Sequence, residues 1–296
     1  MRLAVAASPE VAIPTLKALL ASSHELVSVI SQPDRPAGRG KILTPTPVSE
    51  WALAHQLPLL RPDSKDEIAT AVEDVDCVVT IGYGVLLPES ILSIPRYGFL
   101  NLHFSLLPRW RGAAPVQRAI EAGDAVTGVT VFQLDAGMDT GPIYTVHRFA
   151  LDNDITSDEL FFELGELGVG AVMETLEKIE RGERPQPQTS TGATRALKLS
   201  REEGRIDWAL DAEQVSAKIR AFTSNPGAWT HFRGSPIKIA APVITSEKLE
   251  PGVIVLKDKK ILIGTASNAL EIGFITSVGK TQSLAAAWAN GARLQP

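Results

Sequence analysis

The amino-acid sequence predicts an α/β protein in which a helix-covered parallel sheet is followed by a small antiparallel barrel. Through the first half of the 296-residue chain, apolar β-rich runs alternate with stretches of helical character. Near-continuous apolar strands that alternate with helices indicate a parallel sheet covered on both faces. After Trp208 the pattern changes to one helix and several short runs with tight turns, which is typical of a small barrel.

The strands of the predicted parallel sheet are the apolar runs Arg2–Ala7, Glu25–Ser31, Asp76–Gly82, Gly98–Phe104 and Gly128–Leu134. Helical character is found in Val11–Ala21, Val48–His55, Ile68–Glu73, Pro115–Glu121 and the long amphipathic segment Ser157–Arg181. Gly182 ends the long segment, because glycine and the prolines after it do not continue a helix. In the second half a helix is predicted over Asp211–Phe222, and strands over Ala228–Phe232, Ile237–Ile244, Gly252–Lys257, Lys260–Thr265 and Ala269–Thr276.

The domain boundary is predicted in Arg184–Thr194, which is rich in Pro, Gln, Thr and Gly and has the composition of a linker. Residues 1–204 carry 18 Lys and Arg against 27 Asp and Glu, and residues 205–296 carry 11 against 7. The resulting net charges of −9 and +4 add up to the −5 of the whole chain. A basic second part could face a polyanion, although so modest an asymmetry also arises by chance. We therefore expect a first domain over residues 1–183, a linker over 184–204 and a second domain over 205–296.

The composition also excludes several kinds of protein. No apolar run approaches the roughly 20 residues that cross a bilayer, and the apolar N-terminal stretch is too short for a signal peptide. Cys77 is the only cysteine, so an intramolecular disulfide and a cysteine-based zinc site are excluded. We expect a cytoplasmic protein that contacts no membrane and buries Cys77 as a small apolar side chain.

The strongest candidate site lies on the predicted strand over Gly98–Phe104. Side chains alternate along a strand, so Asn101, His103 and Ser105 share one face and are spaced roughly 6.5–7 Å apart. Ligands of open α/β sheets bind beyond the carboxyl ends of the strands, and Pro108 follows that end closely. The alternative is a pair of polar groups that are hydrogen-bonded for structural reasons only.

Two further segments follow predicted strands and carry glycines. The loop after Gln133 contains Asp135 and Asp139; a carboxylate near an imidazole can orient it and favour its charged form. Capping of the turn is the alternative role for both carboxylates. The segment Tyr83–Leu87 combines glycines with apolar residues and could form one wall of a slot for a flat heterocycle. It lacks the glycine and lysine spacing of a phosphate-binding loop.

A basic loop in the acidic first half is the fourth candidate. Gln32–Lys41 contains prolines and glycines that argue against regular structure, together with Arg35, Arg39 and Lys41. Arginine and lysine side chains on such a loop can contact nucleic-acid phosphates or base edges. An ordinary solvated surface loop is the alternative.

Taken together, these segments resemble the methionyl-tRNA formyltransferase family, and the similarity extends over nearly the whole chain. The stretches that carry it are Gln32–Lys41, Pro45–Val48, Tyr83–Pro88, Asn101–Pro115, Gly128–Gly141 and Lys198–Trp208. The resemblance implies a Rossmann-like formyltransferase domain followed by a small domain similar to an OB fold. It also implies a reaction: the formyl group of 10-formyltetrahydrofolate, as co-substrate, is transferred to the α-amino group of methionyl initiator tRNA, without a metal.

The resemblance further implies roles for individual residues. The catalytic group would be Asn101, His103 and Asp139. The tetrahydrofolate would be bound by Ser105, Leu106, Leu107, Pro108, Tyr83, Gly84, Val85, Leu86, Leu87 and Asp135. The tRNA would be contacted by Arg35, Arg39 and Lys41, and the region after residue 205 would hold the tRNA from another side.

Two readings compete with this one. A formyltransferase could act on a small-molecule amine, either a glycinamide ribonucleotide or an amino sugar nucleotide. A non-enzymatic RNA-binding module would explain the basic loop, yet it leaves Asn101, His103 and Asp139 without a task. We expect the methionyl-tRNA formyltransferase-like protein to be a monomer.

The chain departs from the family pattern at two points. Ala7-Ser8-Pro9 stands where the family often has Gly-Thr-Pro, and Phe104 stands where glycine is common. Because side chains alternate on a strand, Phe104 should point away from His103. We therefore expect a change in packing and unaltered chemistry.

Overall fold

The structure, a computed structural model, describes residues 1–37, 40 and 42–294. These residues fall into two compact units. The first unit comprises Met1–Ala113, Val126–Ala150 and Phe161–Ala196, and the second comprises Ala114–Ala125, Leu151–Leu160 and the chain from Leu197 onward. Among the described residues, no helix combines the length and the apolar character needed to span a bilayer.

The strands and helices up to residue 196 follow the predicted order closely. The strands are β1 Arg2–Ala7, β2 Glu25–Ile30, β3 Arg35–Ala37, β4 Ile42–Thr44, β5 Leu59–Leu60, β6 Cys77–Ile81, β7 Phe99–His103, β8 Arg111–Gly112, β9 Val126–Gln133, β10 Ile143–Ala150 and β11 Arg195–Ala196. The helices are α1 Ile13–Leu20, α2 Pro47–Ala54, α3 Lys65–Ala71, α4 Glu89–Leu92, α5 Pro115–Glu121 and α6 Ser157–Glu180.

The first unit is built on a sheet with the strand order β10-β9-β7-β6-β1-β2-β5. The strands from β7 to β5 are parallel, as predicted, and every residue of β6 is buried. Such strands are covered on both faces, which explains their continuous apolar sequence. The strand β9 runs antiparallel to β7 and β10, so the prediction of a parallel strand was wrong there. An apolar run has the same pattern in either direction, and the sequence therefore carries no signal for the direction of β9.

The two faces of β7 have different surroundings. On one face α6 packs against Leu102: a Cβ atom added to Gly168 of α6 would lie 2.6 Å from the Leu102 Cδ2 atom. Just after the strand, Phe104 is buried and makes an edge-to-face contact with Phe161 of α6, at 6.1 Å between ring centroids. The packing role predicted for Phe104 is confirmed. The opposite face of β7 carries Asn101 and His103.

The second unit contains an antiparallel sheet. Its elements are α7 Ala212–Ala221, β12 Trp229–Phe232, β13 Ser235–Ile244, β14 Ile254–Lys257, β15 Lys260–Ile263, β16 Leu270–Ser277, β17 Ser283–Leu284 and α8 Ala285–Gly291. The strands are ordered β12-β13-β16-β15-β14, with β17 paired to β16, and the sheet curls into a half-barrel. A capping box of Asp211 and Gln214 begins α7. The predicted fold class is thus confirmed for both sheets.

Some elements were not predicted. The strand β10 alternates between half-buried and exposed residues over most of its length, as expected of a strand at a sheet edge, and its polar residues weaken the apolar signal. The short strands β3 and β4 pair across the basic loop, with Arg35 opposite Thr44. The expectation that prolines and glycines exclude regular structure in Gln32–Lys41 was therefore wrong at Arg35–Ala37, which form β3.

Candidate active site

The polar face of β7 brings Asn101 and His103 together. His103 is 6% exposed and its ring lies edge-on to Phe132 of β9, whereas Asn101 is half-buried. Within the part of the chain that the structure describes, the Asn101 side-chain amide makes no hydrogen bond. Because polar groups that are not fully exposed usually have a partner, this amide is a candidate for binding a ligand.

The hydrogen bonds of His103 assign its two ring nitrogens. Nε2 lies 2.9 Å from the carbonyl oxygen of Trp110. A carbonyl oxygen only accepts, so Nε2 carries a hydrogen in both the neutral and the charged ring. Nδ1 faces Asp139, with its carboxylate Oδ2 at 3.8 Å. In the neutral ring, Nδ1 is therefore the nitrogen that can accept a proton.

Burial decides the charge of His103. Removal of the ring from water lowers its pKa from the ordinary value of 6.5, and this effect outweighs the opposing influences of Asp139 and of the Trp110 hydrogen bond. Asp139 lies beside the ring and favours its charged form, as expected. The larger opposing effect of burial could not be predicted from the spacing of these residues. Near neutral pH the imidazole is uncharged.

Asp139 is held in place by its own loop and by β8. Its backbone has a φ of +54°, a left-handed conformation that is uncommon outside glycine. Oδ2 accepts a hydrogen bond of 2.7 Å from the backbone N–H of Gly112. Two residues later, a Cβ atom on Gly141 would lie 1.8 Å from the Gln133 carbonyl oxygen, so only glycine fits there.

The strand β8 and the residue before it contact two of the candidate catalytic side chains, since Trp110 accepts from His103 and Gly112 donates to Asp139. Trp110 has a φ of +64°, and its N–H donates to the Thr194 hydroxyl at 2.9 Å. The strand β8 also pairs with β11. Part of the segment predicted as a linker thus packs against the site.

Sequence reasoning missed several of these contributors. The carbonyl of Trp110 and the N–H of Gly112 are backbone groups, for which side-chain patterns give no signal. Gln188 donates to the carbonyl oxygens of Asp139 and Gly141 from 49 and 47 positions away. No spacing rule connects these positions.

The segment Ser105–Pro108, which is predicted to bind folate, lies directly after β7. Ser105 is fully buried and donates to the Arg109 carbonyl oxygen at 2.6 Å. The N–H of Leu107, also buried, donates to the Thr130 hydroxyl at 3.2 Å. Leu106 and Pro108 are half-buried. The structure thus turns Ser105 and Leu107 inward, where they fix the shape of the turn.

The segment Tyr83–Leu87 lies near the loop after β9. Tyr83 is buried with Leu92 and Phe99, and burial raises the pKa of its phenol. Val85, Leu87 and Leu134 pack against the same cluster, whereas Gly84 and Leu86 are exposed.

A groove of about 400 Å³ opens beside this cluster and is lined by Glu89, Leu92, Ser93, Gln133, Leu134, Asp135, Ala136 and Gly137. Its volume and its mixture of apolar and polar walls suit a small flat ligand. Asp135 caps its own loop: Oδ1 accepts from the Gly137 N–H and the Thr140 hydroxyl. That is the turn-capping role named above as its alternative.

The base of the basic loop reaches the Tyr83 segment. Arg35 is exposed and donates to the Gln32 side-chain oxygen at 2.9 Å. The Gln32 amide nitrogen donates to the Tyr83 carbonyl oxygen at 3.0 Å. Arg39 and Lys41, the other predicted tRNA contacts, lie outside the described residues.

In residues 1–37, 40 and 42–294, no group of three or more His, Cys, Asp or Glu side chains is arranged to hold a metal ion. Burial, aided by Asp76, raises the pKa of the Cys77 thiol to about 12. The thiol therefore stays protonated and unreactive, as expected of a buried structural cysteine.

Two family models match the chain. The formyl transferase model matches residues 1–176, and the model of the formyl transferase C-terminal domain matches residues 198–293. The first match alone covers more than half of the chain. The chain therefore belongs to the formyl transferase family and is an enzyme of that class.

Curated relatives define the branch of the family. The methionyl-tRNA formyltransferase of Rhodococcus erythropolis is 42% identical over 300 residues, covering 99% of this chain and 98% of the relative. That of Thermobifida fusca is 42% identical over 301 residues, covering 99% and 97%. The chain thus falls among the methionyl-tRNA formyltransferases, as the motifs predicted. A non-enzymatic RNA-binding module is excluded, and a small-molecule formyltransferase is disfavoured.

A solved structure shares the fold. The crystal structure of HypX from Aquifex aeolicus in complex with tetrahydrofolic acid has a TM-score of 0.71 over 97% of this chain, at 23% identity. The chain spans 46% of the length of HypX.

Proposed function

We propose that the chain transfers the formyl group of 10-formyltetrahydrofolate to the α-amino group of methionine on initiator tRNA. The observation that carries this proposal is the His103–Asp139 pair beside Asn101, in a chain that matches methionyl-tRNA formyltransferases along its whole length. Formyl transfer to an amine needs a proton acceptor for the amine and a donor for the oxygen of the formyl group. The polar face of β7 offers one of each.

His103 takes the proton. The free amine attacks the formyl carbon, a C–N bond forms, and the carbonyl electron pair moves onto the oxygen. The positively charged nitrogen then loses a proton to Nδ1 of the neutral imidazole, and Asp139 stabilises the resulting imidazolium. When the bond from the formyl carbon to N10 breaks, the same proton passes to N10, directly or through water. The ring returns to its neutral form.

Asn101 stabilises the oxyanion of the tetrahedral intermediate. Its amide is a neutral donor on the same strand face as His103, and within the described chain no other group uses it. A donor aimed at developing negative charge is worth roughly 10²–10³ in rate. The backbone of β7 fixes its position relative to Nδ1 of His103.

The folate occupies the groove between Glu89–Ser93 and the Leu134–Gly137 loop. The Tyr83–Leu87 segment packs against the apolar cluster beside this groove. Leu92 and Leu134 offer apolar surface to the pterin ring, and exposed backbone of the loop supplies polar contacts. Asp135 contributes through the loop that it caps. Ser105 and Leu107 act by shaping the turn, and Leu106 and Pro108 remain accessible to the folate.

The tRNA is held by the basic loop, through Arg35, Arg39 and Lys41, and by the basic second part of the chain. We divide the chain into a catalytic domain over residues 1–183, a connecting segment over 184–204 and an OB-like tRNA-binding domain over 205–296. We propose that the protein acts as a monomer. The substrates support action in the cytoplasm.

The proposal is tested by formylation assays with 10-formyltetrahydrofolate. Charged initiator tRNA should be formylated, whereas a glycinamide ribonucleotide and an amino sugar nucleotide should not. Asn101→Ala and His103→Ala should each lower turnover by roughly 10²-fold or more while tRNA binding persists. Near-native turnover in both variants would contradict the site, and preferred formylation of a small amine would contradict the substrate.

A further inference from the structure

We propose that Gln188 is a positioning residue, which together with Arg111 holds the Asp139 loop in the geometry that the reaction needs. This inference rests on the proposed function, because it assumes that Asp139 acts on His103. Gln188 lies in the segment that the sequence predicts as a linker, and its half-buried side chain points into the first unit.

The side chain of Gln188 joins two parts of the site. Its amide nitrogen donates to the carbonyl oxygens of Asp139, at 3.2 Å, and Gly141, at 2.9 Å. Its amide oxygen accepts from Nε of Arg111 at 2.9 Å and also from Nη2. Only one orientation of the amide fits this setting, because guanidinium groups only donate and carbonyl oxygens only accept. All hydrogen-bonding capacity of the Gln188 nitrogen is directed at one loop.

Asp139 is therefore held through both its side chain and its main chain. Gly112, next to Arg111, fixes the carboxylate through Oδ2, and Gln188 fixes the main-chain carbonyl. Arg111 is itself anchored, since its N–H donates to the Thr194 carbonyl oxygen at 2.9 Å and β8 pairs with β11. A left-handed backbone at Asp139 is unfavourable for a residue with a side chain, and it persists only when the surroundings impose it. The Gln188 amide is one of those constraints.

The consequence is a rate effect. The His103 Nδ1 atom lies 3.8 Å from Asp139 Oδ2, so the interaction between them depends on the position of the Asp139 loop. A displacement of catalytic groups by about 1 Å can lower a rate roughly 10²-fold. Loss of the Gln188 bonds should therefore lower kcat. The groove lined by Leu92 and Leu134 does not include Gln188, so KM for the folate should change little.

The test compares Gln188→Met with the matched control Gln186→Met. Gln186 lies two residues earlier, is exposed, and bonds to Ile143 only through its main chain, among the contacts of the described residues. In Gln188→Met, kcat should fall between roughly 10-fold and 10²-fold, with KM nearly unchanged. In a plot of kcat against pH, the acid limb of Gln188→Met should lie at lower pH than that of the parent enzyme, because a displaced Asp139 no longer raises the pKa of His103. Gln186→Met should behave as the parent enzyme.

A second variant covers the case in which Gln188→Met does not fold. Gln188→Glu keeps an acceptor for Arg111 but cannot donate to the carbonyl oxygens of Asp139 and Gly141, so kcat should fall in the same way. If every Gln188 variant that folds has the same kcat as Gln186→Met, the positioning role is wrong.

The double variant with Asp139→Asn separates this inference from the proposed function. If Gln188 acts through Asp139, Gln188→Met should add little to the loss already caused by Asp139→Asn. An undiminished further loss would overturn the positioning role and leave the proposed function standing. Near-native activity of Asp139→Asn alone would overturn the catalytic role of Asp139 in the proposed function, in a variant that leaves Gln188 untouched.

Discussion

At the scale of single residues, the charge of His103 results from competition between burial and the neighbouring carboxylate. Burial prevails, so the resting ring is neutral and its free nitrogen faces Asp139. A proton acceptor must be unprotonated before the reaction and stabilised once it is protonated. The buried ring meets the first condition, and the carboxylate at 3.8 Å meets the second.

The lowered pKa of His103 predicts how stability depends on pH. In the unfolded chain the ring titrates near 6.5, whereas in the folded protein it binds a proton only at lower pH. As the pH falls below 6.5, the unfolded state takes up the proton first, and the folded state is destabilised. The contribution of His103 is thus complete above 6.5 and is lost as the pH falls through its lowered pKa.

Urea unfolding at a series of pH values, from about pH 8 to about pH 5, measures this effect. Replacement by His103→Asn should make the free energy of unfolding fall less steeply below pH 6.5. The control is His231→Gln, at an exposed histidine of β12, which should retain the slope of the parent protein. An equal slope in His103→Asn and the parent would contradict the buried neutral ring.

At the scale of elements, α6 packs against the face of β7 opposite Asn101 and His103. Phe104→Ala removes a buried ring that contacts Phe161, and should lower the free energy of unfolding by about 3–5 kcal/mol. Under conditions in which Phe104→Ala is folded, formyl transfer should persist, because the ring lies on the face of β7 opposite His103. Phe162→Ala is the control: Phe162 is 67% exposed, so its removal should change stability little. A large loss of kcat in folded Phe104→Ala would contradict the separation of packing from chemistry.

The sequence was informative where a side-chain pattern reports structure. Alternation along Gly98–Ser105 identified the face that carries Asn101 and His103, and the glycines around Asp139 identified its loop. The pattern could not report the antiparallel direction of β9 or the edge strand β10. It was silent on the backbone groups of Trp110 and Gly112, because every residue has them.

Long-range contacts were also beyond sequence reasoning. Gln188 lies beside the Asp139 loop because Gln186 pairs with Ile143 through its main chain, a pairing that no local signal encodes. The neutral charge of His103 depends on how many atoms surround the ring, which spacing along the chain does not contain. The resemblance to a family predicted the substrate, whereas the arrangement of the site residues could be seen only in the structure.

At the scale of the whole molecule, the two family models and the distribution of charge divide the chain at about the same place. The formyl transferase model covers residues 1–176, which contain β7 and the Asp139 loop, and the C-terminal model covers residues 198–293. The acidic and basic halves follow the same division, with net charges of −9 and +4 about residue 204. A basic half is suited to a polyanionic substrate.

The central claim is that Asp139 and His103 together move the proton during formyl transfer to methionyl initiator tRNA. The measurement that tests it most directly is the single-turnover rate of Asp139→Asn with both substrates saturating. The asparagine keeps an oxygen for the Gly112 N–H and a nearly identical shape, but it loses the charge that stabilises protonated His103. We predict a rate roughly 10²–10³-fold below that of the parent enzyme, with tRNA and folate binding retained. A rate within a few-fold of the parent would contradict the account.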